Sequence, residues 1–492
     1  AVDLGSNSFH LQIGRVVDDQ IYLLDGLREP VRLGAGLTRD KRIDRATQVR
    51  ALDALRRFSD RLRGFPAEAV RVVGTNALRV AKNSRPFLAE AKEALGFPIE
   101  IIAGREEARL IYIGVAHSLP LSREKRLVMD IGGGSTEFII GIGLAPKLVD
   151  SLYMGCVSFS LKYFADGKIE KSAFKQAELA ARNELQTIVK QYTRHGWAEA
   201  VASSGTARSI ASILEANGWS EHGISASGLD KLRSAFLKAG GTERLDLPGL
   251  REDRASILPG GLAIMCAAFD ELGIEHMRVT DAALRQGVLY DLLGRVQKHD
   301  MREATARQFM RRYHVDTAQV RRVAGLAAKL FRHLREPAGD SQAEQMLAWA
   351  ADLHEIGISI AHNGYHKHSA YVIANADMPG FSRMEQSQLA RLVLAHRGKL
   401  AKLQDPSPNP GDWDLVFCLR LASLFCRSRT DFDLPRLGCE LTESGFRLLL
   451  PDDLLEQRPL SAAALADEAD EWKSIGLRLE VKPLRDAATR AA

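Results

Sequence analysis

Val2-Asp3-Leu4-Gly5-Ser6-Asn7-Ser8-Phe9-His10-Leu11-Gln12-Ile13-Gly14 and Met129-Asp130-Ile131-Gly132-Gly133-Gly134-Ser135-Thr136-Glu137-Phe138-Ile139-Ile140-Gly141 are two versions of one segment, with Asp130 standing 127 residues after Asp3. Asp, the first Gly, a Ser and the last Gly coincide. In each copy an apolar run enters a polar turn and a second apolar or alternating run leaves it, the pattern of strand, tight turn, strand. Glycines let the backbone approach an anion, so N–H groups and hydroxyls of Gly5, Ser6, Asn7 and Ser8 can converge on phosphate oxygens. Gly132, Gly133, Gly134, Ser135 and Thr136 can do the same from the other copy. Asp3 and Asp130, at strand ends beside the loops, suit a hydrated Mg²⁺, which prefers carboxylate and phosphate oxygen. Glu137 follows close enough to reach the metal or an attacking water. Two such turns from two similar domains make a clamp across a cleft.

Between the copies, Val70–Val73 reads as a strand that ends in Gly74-Thr75 and enters a helix, so Thr75 offers a hydroxyl at a helix N-terminus. Arg79, one turn on, can fork onto phosphate, or it is one surface arginine among many. Pro98–Ile102 is a further strand. It runs into Gly104-Arg105-Glu106-Glu107-Ala108-Arg109, where acidic residues in a first helical turn complement the dipole or do chemistry. Ser204-Gly205-Thr206 ends the apolar run Ala200–Ala202 and opens another helix, as a third loop or a plain structural turn.

Asp3–His10 and Asp130–Glu137, with Gly104–Arg109, Met154–Phe159, Ser204–Thr206 and Ala283–Tyr290, resemble the exopolyphosphatase and guanosine pentaphosphate phosphohydrolase family of the actin, sugar-kinase and Hsp70 superfamily. The resemblance spans nearly the whole chain. It implies an α/β fold of two duplicated actin-like (ribonuclease H-like) domains, followed by an all-α HD-like domain and a small α+β C-terminal domain. The boundaries expected are 1–111, 112–297, 298–430 and 431–492. The resemblance places the catalytic glutamate on Glu107, which would orient a water and take its proton. It leaves Glu106 to the helix start or the metal's outer shell, gives Arg79 a phosphate role, and makes Ser204, Gly205 and Thr206 the third phosphate loop. Glu137 joins Glu107 as catalytic and Asp3 and Asp130 as metal-binding. Mg²⁺ is the cofactor, with a monovalent cation such as K⁺ open. The substrate is inorganic polyphosphate, with guanosine pentaphosphate as the alternative, and the expected state is a homodimer.

The composition fits. With 492 residues, 46% of them hydrophobic, the chain can fill more than one core, and 26% charged residues with a net charge of +5 give no broad nucleic-acid signature. Five cysteines without a C-x-x-C pair argue against a disulfide framework or zinc ribbon, and suit a reducing compartment. Cys156 reads as a buried structural thiol. No apolar run approaches the roughly 20 residues of a membrane span, so a cytoplasmic setting is expected. The chain opens at Ala1 without Met, as if a few residues had been lost.

From about Lys298 the periodicity turns helical, and His314, His333, His354, His362, His366, His368 and His396 gather there. His354-Glu355 stands where the helical HD phosphohydrolases carry His-Asp, and the Glu puts a second metal site in doubt. His362–His368, with Lys367, reads as a basic patch for a long anion, favouring processive cleavage. Asp405–Asp412 reads as a rigid proline-rich loop. Strand-like text returns near Gly438–Thr442, Phe446–Leu450 and Leu477–Val481. A kinase of the same superfamily lacks support from any separate acceptor signature, and a non-enzymatic polyphosphate- or alarmone-binding regulator would not need Glu107.

Overall fold

The computed structural model describes residues 1–17, 20–120, 122–296, 300–335, 341–403, 412–431, 437–451 and 454–484. By their contacts they form two units: Ala1–Met301 with Pro379–Arg383, and Arg302–Met378 with Met384–Ala492. The loop expected over Asp405–Asp412 lies, apart from Asp412, outside the described residues.

The first unit holds two sheets. One comprises β1 (Val2–Leu4), β2 (Phe9–Val17), β3 (Gln20–Glu29), β4 (Val72–Gly74) and β5 (Ile99–Ile101), in the order β3-β2-β1-β4-β5. The other comprises β6 (Lys125–Ile131), β7 (Thr136–Ile142), β8 (Ala145–Leu152), β9 (Glu199–Ser203), β10 (Ile224–Ser225) and β11 (His276–Val279), in the order β10-β11-β9-β6-β7-β8. Read from its β8 end, the second sheet repeats the first. β6 is antiparallel to β7 and parallel to β9, as β1 is to β2 and β4. β11 runs parallel to β9 as β5 does to β4. The internal repeat of the sequence is thus a repeat of topology. Register places Asp3 opposite His10 and Asp130 opposite Glu137, so the two copies differ at one equivalent position beside the loops.

The central strands are nearly continuous apolar runs because helices cover both faces. Leu127–Met129 and Phe138–Ile140 are wholly buried. Each half has its own core, one around Leu4, Phe9 and Phe58, the other around Phe138, Tyr192 and Phe236. A third cluster, including Val73, Leu110, Tyr112, Val128, Val201 and Val288, belongs to both halves.

Four helices position the site: α1 (Asn76–Val80) after β4, α2 (Gly104–Ser118) after β5, α3 (Ser204–Ala216) after β9, and α4 (Leu284–Val296) after β11. α2 and α4 occupy equivalent places in the two copies, and they pack against each other backbone to backbone. A Cβ on Gly287 would lie 1.7 Å from the Leu110 carbonyl oxygen, and one on Gly114 would lie 2.5 Å from that of Ala283. Only glycine permits that approach.

The second unit is helical, with helices that include Thr317–Leu334, Ser341–Leu353, Tyr365–Asn375, Arg383–Ala395 and Asp412–Phe425. Asp316 caps Thr317–Leu334 by accepting from the amides of Ala318 and Gln319. β12 (Gly438–Thr442), β13 (Gly445–Leu450) and β14 (Arg478–Pro483) form a three-stranded sheet, where Phe446 stacks on Phe417 and meets Trp472. Not all the histidines lie on polar faces. His354 and His396 are buried, each with Nδ1 on a backbone carbonyl, and burial pushes both pKa values down. They stand as neutral core groups, because a hydrogen-bonded imidazole packs where an imidazolium would not. Glu355 accepts from Arg429 at 2.6 Å. Among the described residues no helix is long and apolar enough to cross a membrane.

Gly287→Ala is expected to cost about 1–3 kcal/mol or more through overpacking, seen as a lower Tm by calorimetry. Gly325→Ala, in a helix where an added Cβ meets nothing within 4 Å, should instead be neutral or stabilising by about 0.5–1 kcal/mol.

Candidate active site

The loops between β1 and β2 and between β6 and β7 face each other. A Cβ on Gly133 would stand 2.9 Å from that of Ser6, and one on Gly134 would stand 2.4 Å from Asn76 Oδ1. Within the second loop the Gly132 amide donates to the Ser135 carbonyl at 2.9 Å. Ser6 Oγ accepts from the Ala77 amide at 3.2 Å, tying the first loop to the start of α1. The third expected loop, Ser204–Thr206, is the first turn of α3, directly after β9, and lines the same cleft. Ser204 there has a φ of +97°, an uncommon conformation for a side chain and one often found at functional sites. The Thr206 hydroxyl donates to the Ile131 carbonyl at 3.2 Å.

One cleft is lined by Asp3, Gly5, Ser6, Asn7, Ser8, Thr75, Glu107, Asp130, Gly132, Gly133, Gly134, Ser135, Ser204, Gly205 and Thr206, so most of the residues singled out in the sequence converge. Two do not fit their expected parts. Thr136 is fully buried and its hydroxyl donates to the Met154 carbonyl at 2.6 Å, because it begins β7 on the core face. Arg79 is absent from the cleft lining. Its Nη1 donates to Glu107 Oε2 at 3.2 Å and to the Ile102 carbonyl at 2.8 Å, so it holds the glutamate from behind. Glu137 lies just beneath the lining, with Oε1 accepting from Ser151 Oγ at 2.8 Å. Cys156 is buried and also lines the cleft, and burial raises its thiol pKa.

The cleft concentrates negative charge without balancing it. Burial, then Glu107 and Asp130, push Asp3 up to about 8. Burial raises Glu107 against the pull of Arg79, and burial with Glu107 and Asp130 raises Glu137 well above the usual range. Burial likewise raises Asp130. Burial is the leading cause in all four, with neighbouring carboxylates adding to it at Asp3, Glu107 and Glu137, and a cation or a proton relieves it. Three buried side-chain atoms here, Asp3 Oδ1, Ser8 Oγ and Asn76 Nδ2, have no hydrogen-bond partner within the protein, although such groups are ordinarily satisfied. They supply an oxygen for a cation and donors for an anion. Among the described residues no three His, Cys, Asp or Glu side chains converge to cage a metal. Mg²⁺ needs no such cage, since it usually takes one or two carboxylates and completes its shell with water and substrate oxygen.

Beyond the loops a cavity of about 420 Å³ shares His10, Gly205, Arg208, Arg254 and Arg285 with the cleft, and adds Arg28 and Arg251. Arg254 lies over the third loop, where a Cβ on Gly205 would meet its guanidinium at 2.1 Å. Burial lowers the pKa of both Arg254 and Arg285. Burial and these arginines hold His10 down at about 3, hence neutral. Asn76, His10 and the arginines carried no usable signal as individual residues. Arg285 lay within the quoted Ala283–Tyr290 segment, and Arg208 lay two residues past the third loop, but nothing local aimed them at the cleft.

A family model described as the Ppx/GppA phosphatase family matches residues 12–296, and one described as Ppx/GppA phosphatase, domain III, matches residues 301–469. The chain is similar to an exopolyphosphatase from Cytophaga hutchinsonii at 26% identity and a TM-score of 0.54, over 59% of this chain and 96% of that one. It is similar to the PPX-GPPA enzyme of Aquifex aeolicus at 27% identity and a TM-score of 0.50, over 59% and 97% of the two chains. A second structure of the Aquifex aeolicus family member aligns at 25% identity and a TM-score of 0.51, over 61% and 97%.

Arg254→Gln is expected to weaken binding of tripolyphosphate about tenfold, one lost charge-assisted contact. Titration calorimetry at two salt concentrations checks this, and the gap from the unsubstituted protein should narrow as salt screens the guanidinium.

Proposed function

We propose that this chain, which belongs to the Ppx/GppA phosphatase family, is an exopolyphosphatase that releases terminal phosphate from inorganic polyphosphate by a glutamate-activated water. The observation that carries the reading is the set of unpartnered groups in one cleft, Asp3 Oδ1, Ser8 Oγ and Asn76 Nδ2, between facing glycine loops and beside Glu107. The terminal phosphoryl group sits between the two loops and takes hydrogen bonds from their amides, Ser8 and Asn76. Glu107 orients a water in line with the scissile bond and accepts its proton as oxygen attacks phosphorus. The bridging P–O bond breaks, and the shortened chain leaves with the electron pair. A carboxylate raised by burial is a better base near neutral pH than an exposed one, and the Arg79 ion pair keeps it aimed.

Asp3 and Asp130, with Glu137 behind them, are the residues that would hold Mg²⁺, and a monovalent cation such as K⁺ stays part of the proposal. When bound, the divalent ion offsets charge on the transferring group. The arginine-lined cavity receives the phosphates behind the terminal one, since a repeating polyanion gains from each cation it meets. Its size, with Leu11 and Leu27 in the lining, favours a second reading, guanosine pentaphosphate as a substrate whose nucleoside occupies that space. An HD-like helical domain that favours processive cleavage, a homodimer and a cytoplasmic setting complete the proposal, and light scattering tests the dimer.

Phosphate release from long-chain polyphosphate and from guanosine pentaphosphate, with Mg²⁺ and then with chelator, tests the two readings. Release from the polymer that chelator abolishes supports the first, release from the nucleotide alone supports the second, and no release from either sinks both. Glu107→Gln should lower kcat by about 10²–10⁴-fold with KM nearly unchanged, the usual contribution of a positioned base.

A further inference from the structure

Beneath Glu107, on the side of α2 away from the loops, lies a knot of buried charge that no step above uses. Arg109 grips Glu106 with two hydrogen bonds, Nε to Oε2 at 2.8 Å and Nη2 to Oε1 at 2.7 Å. The same Nη2 reaches Asp291 Oδ1, on α4, at 2.5 Å. Asp291 Oδ2 accepts from Arg71, at the entry to β4, and from Arg295 Nε at 3.3 Å. Arg71 also holds Glu100 on β5, with Nε and Nη2 both 3.2 Å from Oε2. Asp291 therefore joins both copies of the repeat from within the fold: Arg71 beside β4 and Arg109 on α2 from the first, and its own helix α4 from the second. Its side chain is 5% exposed and those of Arg71 and Arg109 are 2% and 6%. Three guanidiniums hold its pKa far below the usual carboxylate range despite burial.

The network also takes in the backbone of Gly380, in the Pro379–Arg383 segment of the same unit. The Gly380 amide donates to Glu106 Oε2 at 3.0 Å, and its carbonyl accepts from Arg295 Nη2 at 3.0 Å. Gly380 has a φ of +88°, the left-handed region that favours glycine.

α2 and α4 touch at Leu110 and Gly287, where no side chain intervenes. Elsewhere along the pair His117 stacks on Tyr290 with ring centroids 3.8 Å apart, and at the backbone contact itself, which has no ridge to seat in a groove, directional hydrogen bonds add to that hold. The charged knot sits one turn from that contact, and it stands beside the first turn of α2, which carries Glu107. We propose that Asp291 is a positioning residue for the reaction: by tying Arg109 on α2 and Arg71 beside β4 to α4, it fixes where Glu107 stands relative to Arg79 and the phosphate loops. Glu106 and Gly380 complete the same clamp, which assigns Glu106 neither to a helix cap nor to a metal shell. The inference rests on the reading of Glu107 as the base.

Asp291 bonds to Arg71, Arg109 and Arg295, none of which stands in a phosphate loop. Loss of the clamp should therefore act on kcat and spare KM. A displacement near 1 Å at a reacting centre can cost about 10²-fold, so Asp291→Asn is expected to lower kcat by about 10–100-fold in steady-state phosphate release, with KM for tripolyphosphate within about threefold. Asp291→Asn leaves buried arginines unbalanced and can fail to fold, so Arg295→Gln, at the less buried edge of the network (15% exposed), is measured beside it, with circular dichroism and Tm for each. Arg295→Gln keeps the Arg71 and Arg109 contacts and should show a smaller fall in kcat, again with KM held. A folded Asp291→Asn with unsubstituted kcat overturns the inference, as does a rise in KM with kcat held. If Asp291→Asn does not fold, an Arg295→Gln protein with unsubstituted kcat overturns it. A wild-type chain that releases no phosphate fails the reading of the site itself and the inference with it. An active wild type with normal kcat in these variants fails the inference alone.

Discussion

The close approach of α2 and α4 is the constraint on which the cleft depends. Each helix follows the last paired strand of its copy of the repeat, and the two meet where Gly287 stands under Leu110 and Gly114 under Ala283. With any side chain at these points the helices would part, and the loops of the two sheets would part with them. Gly133 would then no longer face Ser6, and Glu107 and Arg285 would leave the same cleft. Glycine at the crossing thus does for the arrangement of the halves what the loop glycines do for the anion.

The second organising feature is charge kept out of water on two sides of one space. Asp3, Asp130, Glu107 and Glu137 crowd the floor, and each is raised by burial. Arg254 and Arg285, largely buried, line the adjoining wall with Arg208, which is half-buried and already paired with Asp281 at 3.2 Å. At a few ångströms and an effective dielectric near 20, two unit charges interact by about 4 kcal/mol, so neither group is comfortable alone. Cations belong on the floor and phosphates against the wall, and a substrate that brings both relieves both. By contrast, the knot around Asp291 is already balanced, with carboxylates and guanidiniums paired at close range. Balanced buried charge gives geometry; unbalanced buried charge gives affinity.

Legibility in the sequence follows the same division. The glycine loops could be read because their chemistry is contiguous: strand, turn and strand lie within about a dozen residues, and two copies made the pattern hard to produce by accident. The histidine-rich stretch was read by composition, yet His354 and His396 sit in the core of the helical unit, because composition does not say which face of a helix a residue occupies. Thr136 and Arg79 were placed in the right neighbourhood with the wrong bearing. Thr136 lies on the inward-facing side of a strand, and Arg79, expected on phosphate, pairs with Glu107.

By itself the sequence determined the duplicated strand–turn–strand units, the elements that carry Glu107 and Ser204–Thr206, the helical character after Lys298 and the final strands. These are properties of local periodicity and backbone permission, which neighbours in the chain decide. Only the tertiary structure decided that the two loops oppose each other, that Arg79 pairs with Glu107, that arginines distant in the chain share one cavity, and that Asp291 meets a residue 220 positions away. Those facts rest on helix crossing and on charges finding partners across the fold. Such pairings depend on distances in space that no spacing along the chain encodes.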